Sequence, residues 1–141
     1  MKKIIFAVIA FSGITFLVNA SQTNKNNDAE KAGVAVALAW LKINDSGDYA
    51  KSYAECGKIF QAALTVDKWK STIEGVLKPF GKLNSRENIA AKYTTTVPGA
   101  PDGEYVIMQF KTSFENKKEA IETVSVVKEN GVWKVVGYYV K

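Results

Sequence analysis

Asn130-Gly131-Val132-Trp133-Lys134-Val135-Val136-Gly137-Tyr138-Tyr139-Val140-Lys141 closes the chain, and this stretch decides its fold class. Asn-Gly tolerates the positive φ angles of a type I′ turn. The pair lies between two runs rich in Val and aromatic residues, so we predict a β-hairpin. Large side chains occupy both faces of the second run, which predicts a strand covered on both sides.

Three helical stretches precede this sheet-forming region. Asp28, Asp48 and Thr65 are placed to cap them, and Gly57 is expected to bend or interrupt the second. After the third helix the apolar period changes to two. Helices followed by a meander of strands predict an α+β fold, with N-terminal helices packed on a curved four-stranded antiparallel sheet. The strands are expected over residues 89–97, 104–114, 119–128 and 132–141.

Alternation along the strands predicts which side chains share a face. In the first strand Ile89, Ala91, Tyr93, Thr95 and Val97 alternate with polar residues and should share the buried face. In the second strand Val106 and Met108 should share one face, and Tyr105 should lie on the other. In the last strand Trp133 and Tyr139 should share one face and Tyr138 the other.

The N-terminus has the pattern of a secretory signal peptide. Met1-Lys2-Lys3 is followed by an apolar run and then by Val18-Asn19-Ala20, which predicts cleavage after Ala20 and a periplasmic or secreted protein. The run is short for a membrane span of about 20 residues, so we expect no stable membrane anchor. The mature chain should comprise a flexible N-terminus over residues 21–27 and a single α+β domain over residues 28–141.

The composition excludes several functions. The chain has 19 basic and 14 acidic residues, and Arg86 is its only arginine. Recognition of phosphates and guanine favours arginine, so no nucleic-acid partner is expected. With no His and a single Cys, the chain has neither a Cys/His zinc site nor a His-dependent triad. No nucleotide-binding glycine motif is present, and we predict no metal and no cofactor.

Cys56 has no second cysteine with which to form an internal disulfide. Its place on the inner face of a helix predicts a buried free thiol. An intermolecular disulfide is the alternative.

Several motifs carry a resemblance to a known family. Ala39-Trp40-Leu41, Gly47-Asp48-Tyr49, Trp69, the segment at 97–105 and the closing residues 132–138 resemble the bacterial family catalogued as domain of unknown function 4019. That family is in turn similar to cystatin-like and nuclear-transport-factor-2-like cone folds. The resemblance implies export and a cone-shaped sheet, and it implies no catalytic residue.

Related cone folds include enzymes that use a pocket carboxylate beside a tyrosine, which makes a small acid–base isomerase or dehydratase one hypothesis. Asp48 has a simpler role as a helix cap. Glu122 has polar neighbours and is expected on a solvated sheet face. The candidate residues for this chemistry are Asp48, Tyr49, Tyr53, Tyr93, Tyr105 and Glu122.

The favoured hypothesis is an exported, non-enzymatic binding or interaction module of the bacterial envelope. Its partner would be a small apolar ligand in the cone or an envelope protein, and the exposed sheet face is a possible homodimer contact. An inhibitor or immunity-type protein is a further alternative, although the Gln-x-Val-x-Gly segment of cystatin inhibitors is absent. The expected pocket lining is Tyr53, Phe60, Trp69, Tyr93, Tyr105 and Tyr139.

Overall fold

The computed structural model describes residues 20–141, with side chains described from residue 23. Except for Ala20, the predicted signal peptide lies outside these residues. Within them, none of the helices is both long and apolar enough to cross a membrane. The described elements are α1 (Ala20–Asp45), α2 (Tyr49–Ala54), α3 (Lys58–Ala63), α4 (Val66–Phe80), β1 (Leu83–Thr94), β2 (Tyr105–Phe114), β3 (Lys117–Glu129) and β4 (Val132–Val140).

Helix α1 begins eight residues before the predicted cap at Asp28, so residues 21–27 are helical. No Gly or Pro interrupts this polar segment, and the helix is tied to the sheet region along its length. Glu30 Oε1 accepts the Tyr93 backbone N–H at 2.9 Å, and Lys25 Nζ lies 3.9 Å from Glu104 Oε1. The polar composition of residues 21–27 therefore did not indicate a flexible segment before the helix.

The predicted caps of the shorter helices are confirmed. Asp48 accepts the Lys51 N–H at 3.1 Å, and the Thr65 hydroxyl accepts the Lys68 N–H at 3.3 Å. Gly57 separates α2 from α3, as predicted. A Cβ at Gly57 would stand 2.8 Å from the Glu129 carboxylate oxygen that accepts the Lys58 N–H, and 3.1 Å from Val136, so a side chain here would disturb this contact with the sheet.

The four strands form one antiparallel sheet in the order β1-β2-β3-β4. The closing hairpin turns at Asn130 and Gly131, whose φ angles of 49° and 80° are the positive values predicted for this pair. Residues 135–138 of β4 are buried in succession, which confirms that this strand is covered on both sides. The described sheet is open, with β1 and β4 as its edges, and the α+β class is as predicted.

Strand β1 differs from its prediction in both position and facing. It begins at Leu83 and ends at Thr94, and its register with β2 shifts between Asn88 and Ala90. This bulge displaces Ile89 outward, where its side chain is 49% exposed. Val97 is buried, but it lies beyond the strand in the turn-rich segment.

A second bulge changes the faces of β4. The register with β3 shifts between Ser125 and Val126, where β4 carries an extra residue. Trp133 and Tyr138 consequently pack against the same core cluster, and the predicted pairing of Trp133 with Tyr139 is wrong.

Apolar clusters lie on both faces of the sheet. The larger joins the helices to the strands and includes Trp40, Phe60 and Trp69. The smaller lies on the opposite face and contains Tyr105, together with Val97 from the β1–β2 connection. Alternation along β2 therefore divides the two clusters as predicted.

Candidate functional site

A polar network crosses the helix-facing side of the sheet and reaches the C-terminal end of α1. Arg86 on β1 donates through Nε to Glu122 Oε1 at 2.7 Å. Its two terminal nitrogens donate to the two carboxylate oxygens of Asp45, at 2.8 and 3.0 Å. This bidentate geometry is the strong form of an arginine–carboxylate pair. One guanidinium thus joins the last residue of α1 to the middle of the sheet.

Glu122 is the buried end of this network. Thr112 Oγ1 donates to its Oε1 at 2.6 Å, and the Tyr138 hydroxyl donates to its Oε2 at 2.5 Å. The residue is 1% exposed, so the expectation of a solvated position is wrong. Glu122 has the strand parity of Val124, which faces the core, and this parity was the available signal.

The electrostatics of the network fix the charge of its members. Burial alone would lower the pKa of the Arg86 guanidinium, but the hydrogen bonds to Asp45 and the charges of both carboxylates raise it above its ordinary value. Burial, followed by the charge of Glu122, raises the pKa of Tyr138 well above that of an exposed tyrosine. Arg86 is therefore a permanent cation and Tyr138 a neutral donor at physiological pH.

A cleft of about 490 Å³ opens beside the exposed end of the network. The end of α1, the start of α2, helix α4 and the end of β2 form its walls. The apolar parts of the wall come from Tyr49, Leu77, Leu83 and Phe114. The remaining lining residues are Asn44, Asp45, Gly47, Glu74, Lys78, Gly81, Lys82 and Glu115.

Asn44 is the unusual member of this lining. The residue is 2% exposed, and neither its Oδ1 nor its Nδ2 has a hydrogen-bond partner among the described residues. Burial of an unpaired amide costs about 1–3 kcal/mol per group. Sequence reasoning missed Asn44, although it follows Ala37 and Leu41 at helical spacing on the buried side of α1.

The charges around Asn44 largely cancel. Asp45 is paired with Arg86, and Glu74 lies 3.9 Å from Lys78 on the same helix. The cleft's other two charged residues, Lys82 and Glu115, have opposite signs. The wall around the amide therefore carries little net charge.

Three of the residues predicted to line a pocket are packed together in the core. Tyr53 and Phe60 have ring centroids 6.3 Å apart, and Phe60 and Trp69 are 5.1 Å apart. The Tyr53 hydroxyl donates to the carbonyls of Gln61 and Leu64, and Trp69 Nε1 donates to Ser52 Oγ. These groups are engaged in joining the helices.

The other three predicted residues lie elsewhere. Tyr93, at the β1 edge, donates to Glu104 Oε1 at 3.1 Å. Tyr105 belongs to the cluster on the opposite face of the sheet, and Tyr139 also projects from that face. The sheet separates these two from Phe60 and Trp69, so the six residues do not surround one cavity.

The structure also shows the positions of the remaining residues singled out from the sequence. Asp48 is a helix cap, and Tyr49 lines the cleft. Cys56 is a buried free thiol, as predicted, and burial raises its pKa to about 12. Among residues 20–141, no group of Cys, Asp and Glu side chains is arranged to hold a metal ion.

The chain belongs to a family described as protein of unknown function (DUF4019), whose model matches residues 36–138. The match includes Asn44, the charged network and the closing hairpin. A search of the curated proteins found no match. Membership confirms the resemblance noted from the sequence, and the description of the family names no activity.

Proposed function

We propose that the protein is an exported, non-enzymatic binding module that holds a small ligand in the cleft at the end of α1. The observation that carries this proposal is the unpartnered amide of Asn44, buried at the wall of the 490 Å³ cleft. Buried polar groups normally have partners, and those that lack them often serve a function. A few polar groups in an otherwise apolar concavity are typical of ligand sites.

The residues of the cleft wall favour a partly polar ligand, whereas the sequence had suggested a purely apolar one. Tyr49, Leu77 and Phe114 offer apolar surface, while Asn44 and Asp45 offer hydrogen-bonding groups on the same wall. A ligand with an apolar body and one polar end would match both parts.

The acid–base alternative is less well supported by the geometry. A carboxylate beside a tyrosine exists at Glu122 and Tyr138, but both oxygens of Glu122 already accept hydrogen bonds. The carboxylate is also almost completely buried. A general base must reach the proton that it abstracts, and this carboxylate is committed to Arg86, Thr112 and Tyr138.

Export remains part of the proposal and rests on the N-terminal sequence. The experiment is expression of the full chain in a bacterium, followed by fractionation and intact-mass measurement. We expect a periplasmic or extracellular product that begins at Ser21. A full-length product retained in the cytoplasm would contradict export.

Binding can be mapped on the same product by ¹⁵N-resolved NMR during titration with small polar and apolar compounds. We expect the perturbed amides to concentrate at the end of α1 and at Leu77 and Phe114. Perturbations confined to the opposite sheet face, around Tyr105 and Tyr139, would contradict the placement of the site.

A further inference from the structure

We infer that the cleft selects an uncharged planar group presenting one hydrogen-bond donor beside one acceptor, as a primary carboxamide or a lactam does. This inference rests on the proposed function, and it names the class of ligand. Its basis is Asn44, whose Oδ1 acceptor and Nδ2 donor both lack a partner within residues 20–141. The two atoms lie side by side on one planar amide.

The pairing requirement excludes simpler ligands. An anion offers only acceptors and would leave Asn44 Oδ1 unpaired, whereas a cation offers only donors and would leave Nδ2 unpaired. A group with an adjacent donor and acceptor satisfies both atoms in one bidentate contact, as asparagine does with the edge of adenine. Sites built around such buried polar groups reject analogues that leave them unpaired.

The charges of the wall favour a neutral ligand for an independent reason. Asp45 is paired with Arg86 through two hydrogen bonds, and Arg86 also binds Glu122, so these three groups together carry one negative charge. On the same wall Lys78 and Lys82 balance Glu74 and Glu115, so the net charge is small and gives a charged ligand little attraction to offset its loss of hydration.

The apolar part of the wall indicates what carries the polar group. Leu77 and Tyr49 are half-buried, and Phe114 is buried. An aromatic or heteroaromatic ring bearing a carboxamide, or a pyrimidine, would place its body against them. The Asn44 amide lies beneath the surface of the wall, so half-buried side chains must move aside when the ligand enters.

Benzamide is the direct probe, because it joins a ring to a primary amide. Benzoate, benzamidine and acetophenone retain the ring and offer, respectively, an anion, a cation and a neutral acceptor. Uracil tests the lactam form of the same edge. A ligand of this size should bind with a Kd on the order of 1 mM, within reach of NMR titration of the exported product.

We expect benzamide, uracil or both to shift the Asn44 side-chain NH₂ resonances and to bind at least tenfold more tightly than the three analogues. Asn44→Leu should weaken this binding at least tenfold. Asn27→Leu is the matched control, because Asn27 is exposed on the same helix about 25 Å away. It should bind as the unmodified protein does, and the amide spectra of both variants report whether they fold.

The outcomes separate the two levels of the proposal. Equal binding of benzamide and acetophenone in the cleft, or unchanged binding in Asn44→Leu, would overturn the ligand class and leave a binding module. If no probe of any charge perturbs the cleft, the proposed site fails as well. If Asn44→Leu does not fold, Asn44→Asp serves instead, since it removes the donor and should also lose the preference for benzamide.

Discussion

Replacement of Arg86 by Met should destabilise the fold by about 3–5 kcal/mol, the usual cost of leaving one member of a buried ion pair without its partner. The Arg86 side chain is 7% exposed and Glu122 is 1% exposed. Without the guanidinium, Glu122 keeps only the Thr112 and Tyr138 hydroxyls as donors. A domain of this size is stable by about 5–15 kcal/mol, so the loss is a large fraction of the total.

Asp45 provides the internal comparison. It shares the same guanidinium, but its side chain is 21% exposed and can recover water when the pair is broken. Asp45→Asn should therefore cost about 1 kcal/mol or less, as partly exposed pairs do. The structure predicts this asymmetry from burial alone, although Asp45 makes two of the hydrogen bonds of Arg86 and Glu122 makes one.

The assay is urea denaturation followed by the fluorescence of Trp40 and Trp69, both buried beside Tyr138. The double variant Arg86→Met/Glu122→Leu removes both buried charges, and it should be more stable than Arg86→Met alone because no isolated charge remains. The reasoning would be refuted if Arg86→Met cost no more than Asp45→Asn. It would also be refuted if the free-energy cost of the double variant equalled the sum of the costs of Arg86→Met and Glu122→Leu measured separately.

Three further predictions follow from single positions. Asn44→Leu should raise stability by about 1–3 kcal/mol, since it removes an unpaired buried amide, and an unchanged or lower Tm would contradict this. The raised pKa of Cys56, about 12, means that the folded state disfavours the thiolate, so stability should fall by about 1.4 kcal/mol per pH unit as pH rises from 9 towards 12. Urea titrations across this range should show a shallower fall in Cys56→Ala, and equal slopes would exclude the thiol as the cause. Gly57→Ala should cost about 1–3 kcal/mol because its Cβ would meet Glu129 and Val136, whereas Gly75→Ala in α4 has open space and should be neutral or stabilising in the same denaturation assay.

Local patterns predicted the elements well where a specific chemical group fixes the backbone. Asp48 and Thr65 cap their helices through their own side chains, and Asn130-Gly131 adopts the turn that its tolerance of positive φ allows. These interactions span three residues or fewer, so the sequence contains both partners. The same reasoning failed at the start of α1, where contacts with the distant residues Tyr93 and Glu104 accompany the additional helical turns.

Side-chain facing was predicted correctly in β2 and for Ala91 and Tyr93 of β1, and incorrectly for Ile89 of β1 and for the last residues of β4. Strict alternation holds only while the strand pairs without interruption, and each bulge inverts the parity that follows it. Ile89 lies at one bulge, and the other separates Trp133 from Tyr138 and Tyr139. Nothing in the local sequence marks these irregularities strongly, because they depend on the register with the neighbouring strand.

The site was predicted least well because its members are far apart in the sequence. Aromatic residues were expected to line a pocket in an aromatic-rich cone, yet Phe60 and Trp69 fill the core between helices and sheet. Glu122 was assigned to solvent because its sequence neighbours are polar, whereas its partners Arg86 and Tyr138 lie 36 and 16 residues away. Its parity with Val124 was a local sign of the buried face, but no local pattern identifies the distant partners that allow a charge to be buried there.

Asn44 directly precedes Asp45, so the hydrogen bonds that hold Asp45 also hold the cleft wall at Asn44. Asp45 is the last residue of α1, and its two hydrogen bonds with Arg86 fasten that helix end to the sheet. The preceding residue is thereby held against the wall even though its own side chain has no partner among the described residues. An amide paired only with water could turn outward, but the fastened helix end keeps Asn44 buried. The charged network therefore offsets the cost of holding an unpaired donor and acceptor in place, while a ligand reaches them only after half-buried side chains of the wall move aside.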